Sequence, residues 1–128
     1  MGNGTSIGRV RGLGSAKQGT HHWWHQRLTA GSNLLLLLWF LFSIAMLPSY
    51  DIASLTKWLS SGWAALPMAL LIATLFYHAR LGLQVVIEDY QHDETRVVLL
   101  VVLNLLTALG AGLAIFSILR IAFTGTPA

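Results

Sequence analysis

The sequence contains no cysteine and few charged residues. Of its 128 residues, 10% are charged and 55% are hydrophobic, whereas a soluble domain usually carries about a quarter charged residues. The absence of cysteine excludes disulfides, thiolate metal sites and cysteine nucleophiles. The shortage of charge excludes a soluble globule, because too few polar groups are available to cover its surface. Together with a mean hydropathy of +0.63, the composition predicts a membrane protein.

Acidic residues are missing from the N-terminal part of the chain, where basic residues are concentrated. Four of the eight basic residues precede the first apolar run, and these are Arg9, Arg11, Lys17 and Arg27. Cytoplasmic segments of membrane proteins carry an excess of lysine and arginine, so we expect a cytoplasmic N-terminus. The pI is near 9.8, but no aromatic and basic groove motif accompanies the charges. We therefore expect no nucleic-acid partner.

Three apolar runs are long enough to cross a bilayer. They cover about residues 28–47, 64–87 and 97–118, and about 20 residues of helix cross the ~30 Å hydrocarbon core. The first run is longer than the apolar region of a signal peptide, so we expect it to be a retained span. The sequence predicts an all-α membrane protein with an interfacial segment at 1–27 and a three-helix anchor at 28–128. Its C-terminus should lie opposite the cytoplasmic N-terminus.

The segments outside these runs are polar. Residues 1–19 are rich in glycine and basic residues and show no periodicity, so we expect them to be mobile or to lie on a partner. The sequence HHWWHQR at 21–27 is typical of the membrane interface. Residues 48–63 form a polar loop with an expected amphipathic turn, and EDYQHDETR at 88–96 forms a tight charged connection. Three crossings place this connection on the side of the N-terminus.

A histidine lies inside the second apolar run. His78 is about ten residues from the cytoplasmic end, which is ~15 Å deep at 1.5 Å per residue, and an ionisable group there indicates function by default. Gly82 and Asp89 lie on nearly the same helical face. The imidazole Nε2 can bind haem iron while the glycine admits a flat macrocycle. The alternative is a histidine that hydrogen-bonds across helices in packing. One such histidine is too few for a bis-histidine site, so a second ligand would come from another subunit.

An arginine lies two residues further along. Arg80 is ~200° around the helix from His78. Its guanidinium can extend toward the cytoplasmic surface, pair with Glu88, or meet a neighbouring subunit. The residues alone leave these three alternatives open.

Two motifs resemble those of a known family. HARLGLQVVIEDY contains H-x10-D-Y starting at His78, and H-x5-R-x-T-A starts at His21, just before the first span. With three spans and 128 residues, the chain resembles the smaller hydrophobic anchor of succinate dehydrogenase, respiratory complex II. The resemblance covers nearly the whole chain from about residue 15.

The resemblance implies a role for five residues. His78 would be an axial ligand of a haem b, and the second axial histidine would belong to the larger anchor subunit. Tyr90 would donate a hydrogen bond to a ubiquinone carbonyl, with Asp89 taking part in proton delivery at the same site. Arg27, with His21, would lie near the haem propionates and the quinone pocket.

The resemblance also implies partners and a location. The chain would be a multi-pass subunit of the bacterial inner membrane. It would pair with a second anchor (cytochrome b) and dock an iron–sulfur subunit and a flavoprotein subunit in the respiratory chain and tricarboxylic acid cycle. Because succinate would be oxidised on the flavoprotein, this chain would supply no catalytic residue to that step. The alternatives are a fumarate reductase-type anchor, a haem-free anchor, or a small ion-translocating protein that uses His78, Arg80 and Asp89 as a relay.

Overall fold

The chain folds as a set of α-helices. A computed structural model describes Ser6 and residues 19–125, and the basic segment expected to be mobile therefore lies almost wholly outside the described residues. Between residues 19 and 125, the chain forms four helices, which are α1 (Gly19–Ala45), α2 (Ile52–Leu59), α3 (Gly62–Tyr90) and α4 (Asp93–Thr124). The three long helices have the length and apolar composition to cross a membrane. The predicted all-α fold with three spans is confirmed.

The helices extend beyond the apolar runs that predicted them. Helix α1 begins at Gly19, nine residues before the predicted span, so HHWWHQR is continuous with the helix that forms the first span. Hydropathy detects where a helix loses contact with water, whereas the helix itself continues for as long as its backbone can hydrogen-bond. The long helices measure about 40 to 48 Å at 1.5 Å per residue.

The polar loop after α1 contains the short helix α2. Asp51 caps it, because its carboxylate accepts a hydrogen bond from the backbone N–H of Ser54 at 3.3 Å. Hydrogen bonds from the hydroxyls of Ser49 and Ser54, with that backbone bond, lower the pKa of Asp51 to about 2. The ring of Trp58 stacks on Trp39 of α1 at a centroid distance of 6.1 Å. The expected amphipathic turn is thus a capped helix packed against α1.

The chain reverses between α3 and α4 in very few residues. Only Gln91 and His92 lie outside the two helices, and Asp93 has the left-handed φ of 59° that a sharp reversal needs. Asp93 and Glu94, in the first turn of α4, interact favourably with the positive end of its helix dipole. Across the turn, Arg96 lies 3.9 Å from Glu88. The predicted charged connection is mostly helical.

Helix α3 is the centre of the arrangement. It packs against both α1 and α4, which do not contact each other in the described part of the chain. The α3–α4 contact is close at Gly110, where an added Cβ would lie 2.6 Å from Cε1 of Phe76. Few side chains are fully buried, and large apolar side chains remain exposed along all three long helices. These surfaces require lipid or other protein subunits as neighbours.

Candidate functional site

The histidine of α3 is joined to α1 by a hydrogen bond. His78 Nδ1 lies 3.0 Å from Oγ1 of Thr29. Thr29 is the only buried polar residue among the described residues, with 9% of its surface exposed. Its hydroxyl also reaches the backbone carbonyl of His25 at 2.7 Å. The bond connects the two sequence motifs, because Thr29 belongs to H-x5-R-x-T-A and His78 begins H-x10-D-Y.

The second nitrogen of this imidazole is free in the described part of the chain. No hydrogen bond is formed by Nε2 of His78, whose side chain is partly exposed. One ring nitrogen is therefore fixed by α1, while the other remains available to a group from outside the chain. An imidazole with one nitrogen bonded within the protein and the other available can act as a metal ligand.

The contact with Thr29 also defines the depth of His78 relative to α1. Thr29 is the second residue of the predicted first span, whereas His78 lies twelve residues before Tyr90, the last residue of α3. Counting along α3 alone placed His78 near the bilayer centre. The pairing places it level with the start of the apolar run of α1, because the polar segment 19–27 lies alongside the final turns of α3.

Polar atoms without partners lie on the same face of α1 as Thr29. His22, Gln26 and Asn33 follow its helical spacing, and His22 Nε2, Gln26 Oε1 and both amide atoms of Asn33 are buried without a hydrogen bond among the described residues. Leaving such a group unpaired costs about 1–3 kcal/mol. Further polar partners would therefore stabilise these four atoms. Gly82 faces this side of α1, since an added Cβ would lie 3.7 Å from Gln26 Nε2, so the glycine faces α1 and not open space.

A polar groove lies beside this contact. It has a volume of about 560 Å³ and opens between the N-terminal part of α1 and the final turns of α3. His21 lies in this groove and packs on the ring of His25 at 4.7 Å between centroids. His25 Nδ1 in turn lies 3.1 Å from the hydroxyl of Tyr77. The structure thus places His21 near α3, in a cluster with His25 and Tyr77 that does not include His78.

Arg80 bonds to the other neighbouring helix. Its Nε donates to Oδ1 of Asn104 on α4. Glu88, the expected alternative partner, instead accepts a hydrogen bond from Gln84 at 2.9 Å and lies 3.9 Å from Arg96. The pairing of Arg80 with Glu88 is therefore not formed, and the polar contact of Arg80 joins α3 to α4.

Arg27 is exposed on the side of α1 opposite Thr29. Its guanidinium carbon lies 4.4 Å from the ring centroid of Trp23, which is a cation–π contact. It makes no ion pair within the described residues. Because it is two residues before Thr29, it points to nearly the opposite side of the helix. The structure therefore does not bring Arg27 into the contact between Thr29 and His78.

Asp89 and Tyr90 are the last two residues of α3. Tyr90 is 77% exposed, Asp89 is also exposed, and neither side chain makes a hydrogen bond to another described residue. They lie about 18 Å along the helix from His78, at 1.5 Å per residue. The structure thus separates His78, between α1 and α3, from Tyr90 and Asp89 at the end of α3.

Sequence reasoning missed the part played by Thr29 and Asn104. Threonine occurs often in membrane helices and bonds to its own helix, so its type alone carries little signal. A polar residue at helical spacing within an apolar run was the available clue in both cases. Which helix each residue faces depends on the packing of the three helices.

The fold and the site define a multi-pass helical membrane protein that holds an ionisable histidine between two of its spans. The family described as succinate dehydrogenase/fumarate reductase transmembrane subunit matches residues 1–116. The hydrophobic membrane anchor subunit of succinate dehydrogenase from Rickettsia bellii is 39% identical over 66% of this chain and 67% of its own length. That of Rickettsia conorii is 32% identical over 77% of this chain and 80% of its own length. No solved structure matches.

The chain belongs to the succinate dehydrogenase/fumarate reductase transmembrane subunit family. It is a membrane anchor subunit of the succinate dehydrogenase type. The resemblance found from the two motifs is confirmed.

Proposed function

We propose that this chain shares a haem b with a second hydrophobic anchor subunit and helps to form the site where ubiquinone is reduced. The observation that carries the proposal is the state of His78. Its imidazole lies between two membrane helices, with Nδ1 bonded to Thr29 and Nε2 without a partner in the described chain. An imidazole with one nitrogen held by the protein and the other available is suited to bind iron. The partner anchor would supply the second axial histidine.

The residues present fit a haem. No three His, Asp or Glu side chains come together in the described residues, and a haem shared between two chains needs only one imidazole from each. The unpartnered atoms of His22, Gln26 and Asn33 offer further polar contacts on the same face of α1. When bound, the haem would supply a one-electron carrier beside the quinone. This chain's share is to hold and orient the imidazole.

Tyr90 and Asp89 are suited to handle protons at the quinone. A phenol can donate a hydrogen bond to a quinone carbonyl and stabilise the negative charge that develops on reduction. The exposure of Tyr90 at the end of α3 leaves its hydroxyl available. Asp89, also exposed and next in sequence, can pass protons from water to the site. Both lie on the side that we assign to the cytoplasm, where electrons would arrive from a docked iron–sulfur subunit.

Arg27 and His21 would contribute polar groups at the same end of α1, Arg27 from the side that faces away from His78. The Arg27 guanidinium has no carboxylate partner among the described residues, and its fork suits a propionate. His21 lies in the polar groove at the same end of the helices. A flavoprotein subunit would oxidise succinate away from this chain. The complex would lie in a bacterial inner membrane.

The test is a reduced-minus-oxidised visible spectrum of the purified complex. We expect a b-type α band in the wild type that is lost or shifted in His78→Ala, because the iron would lose an axial ligand. His92→Ala is the matched control, since His92 is exposed between α3 and α4. An unchanged band in His78→Ala would remove His78 as the ligand. A wild-type complex without any haem band would indicate the haem-free anchor instead.

A further inference from the structure

We propose that Thr29 is the positioning residue for His78, fixing the tautomer and orientation of its imidazole and thereby the strength of Nε2 as an iron ligand. The proposal rests on the proposed haem ligation. It goes beyond that ligation because it assigns to α1 the control of a ligand carried by α3.

The direction of the hydrogen bonds follows from the distances around one oxygen. Thr29 Oγ1 lies 2.7 Å from the carbonyl oxygen of His25 and 3.1 Å from that of Gln26. A carbonyl oxygen can only accept, and the contact with His25 is the shortest of the three, so we assign the single hydroxyl proton to it. With the proton there, the lone pairs of Oγ1 accept in the 3.0 Å contact with His78. His78 therefore carries its proton on Nδ1.

This tautomer has a direct consequence for the ring. With the proton on Nδ1, the lone pair of the neutral imidazole is on Nε2, which is the form that binds a metal. Donation from Nδ1–H also raises the basicity of the ligating nitrogen. A stronger ligand favours the ferric form, so the bond to Thr29 should lower the reduction potential of the haem.

The surrounding helices support this geometry. Thr29 is buried, and its hydroxyl is anchored to its own backbone, so the acceptor cannot rotate freely. Gly82, one turn from His78, has no side chain between α3 and the Gln26 amide. The close approach of α1 and α3 there keeps Thr29 within reach of the imidazole.

The experiment compares the assembled complex with two pairs of variants that differ by one hydroxyl. The wild type is compared with Thr29→Val, which keeps the shape, and Thr29→Ser with Thr29→Ala. The measurements are the haem reduction potential by redox titration and the g-values of the ferric haem. We expect loss of the hydroxyl to raise the potential, by about 59 mV for each tenfold weakening of ferric relative to ferrous binding. Second-shell partners typically account for about 10–100-fold in metal affinity.

Thr74→Val is the matched control. Thr74 lies on α3, one turn from His78, and its hydroxyl makes the same kind of intrahelical bonds, to Leu70 at 2.8 Å and Leu71 at 3.2 Å. It should change neither measurement, while Thr29→Ser should stay close to the wild type. If valine prevents assembly, the serine and alanine variants still provide the comparison.

Two kinds of failure can be told apart. Potentials and g-values that are unchanged in the variants without the hydroxyl would overturn the role of Thr29, while haem ligation by His78 would stand. A haem spectrum that survives His78→Ala unchanged would overturn the ligation itself.

Discussion

Polar side chains within the spans bond to the neighbouring helix. His78 contacts Thr29 of α1, and Arg80 contacts Asn104 of α4. Apolar contacts between membrane helices specify rotation and sliding weakly, whereas a hydrogen bond away from water is formed in only one register. Each contact therefore fixes one of the two helix interfaces. Tyr90 differs from both, because its hydroxyl has no partner in the described chain.

Tyr90→Phe should lower the rate of ubiquinone reduction by about ten- to a hundredfold. This corresponds to about 1.5–3 kcal/mol for a lost hydrogen bond to a group that becomes charged. The measurement is quinone reductase activity of the purified complex, alongside haem content and succinate oxidation with an artificial acceptor, which should both be unchanged. Tyr50→Phe, in the exposed segment before α2, serves as the control. Unchanged quinone reduction in Tyr90→Phe would contradict the assignment.

The helices differ in how closely they pack. Gly110 of α4 lies against the ring of Phe76, where an added Cβ would come within 2.6 Å of Cε1, whereas nothing lies within 4 Å of an added Cβ at Gly112. Two glycines one half-turn apart on one helix thus have opposite surroundings. Gly110 is required by the close approach of α3 and α4, and Gly112 faces open space.

Gly110→Val should destabilise the contact between α3 and α4 by about 1–3 kcal/mol, the usual cost of overpacking. Gly112→Val should stay within about 0.5 kcal/mol of the wild type, as surface changes do. The measurement is the thermal unfolding midpoint of the complex in detergent. Equal midpoints for the two variants would show that the Phe76 ring moves aside without cost.

At the scale of the whole molecule, the chain is a layer of three long helices with apolar sides. Exposed residues such as Leu35, Leu66 and Leu113 lie on all three long helices, so the fold depends on lipid and on partner subunits for most of its apolar burial. Gly19 of α1 and Glu88 of α3 line the same groove, so the start of α1 and the turn between α3 and α4 lie at the same end of the layer. From the basic residues of the N-terminal segment, we expect this end to be cytoplasmic.

Membrane orientation can be measured on this chain directly, because it has no native cysteine. His92→Cys lies in the turn between α3 and α4, and Ser60→Cys lies between α2 and α3. A membrane-impermeant maleimide should label the His92→Cys variant only in inside-out vesicles and the Ser60→Cys variant only in spheroplasts. The opposite pattern would invert the topology and move Tyr90 to the other side of the membrane.

Much of the fold could be predicted from local features of the sequence. The apolar runs predicted three crossings, because the cost of placing charges in hydrocarbon acts on each segment separately. The spacing from His78 to Tyr90 led to the family, because it lies within one helix. The ends of the helices were less predictable, as Gly19 shows, since hydropathy does not detect a helix that continues into polar residues.

The sequence by itself determined the number of spans, the helical class and the family, whereas the tertiary structure decided which helix each polar residue serves. Thr29 and His78 are 49 residues apart, and Arg80 and Asn104 are 24 apart. Sliding one helix by a single residue shifts a contact by 1.5 Å and rotates it by about 100°. No local pattern encodes that register, because it results from the packing of whole helices against each other.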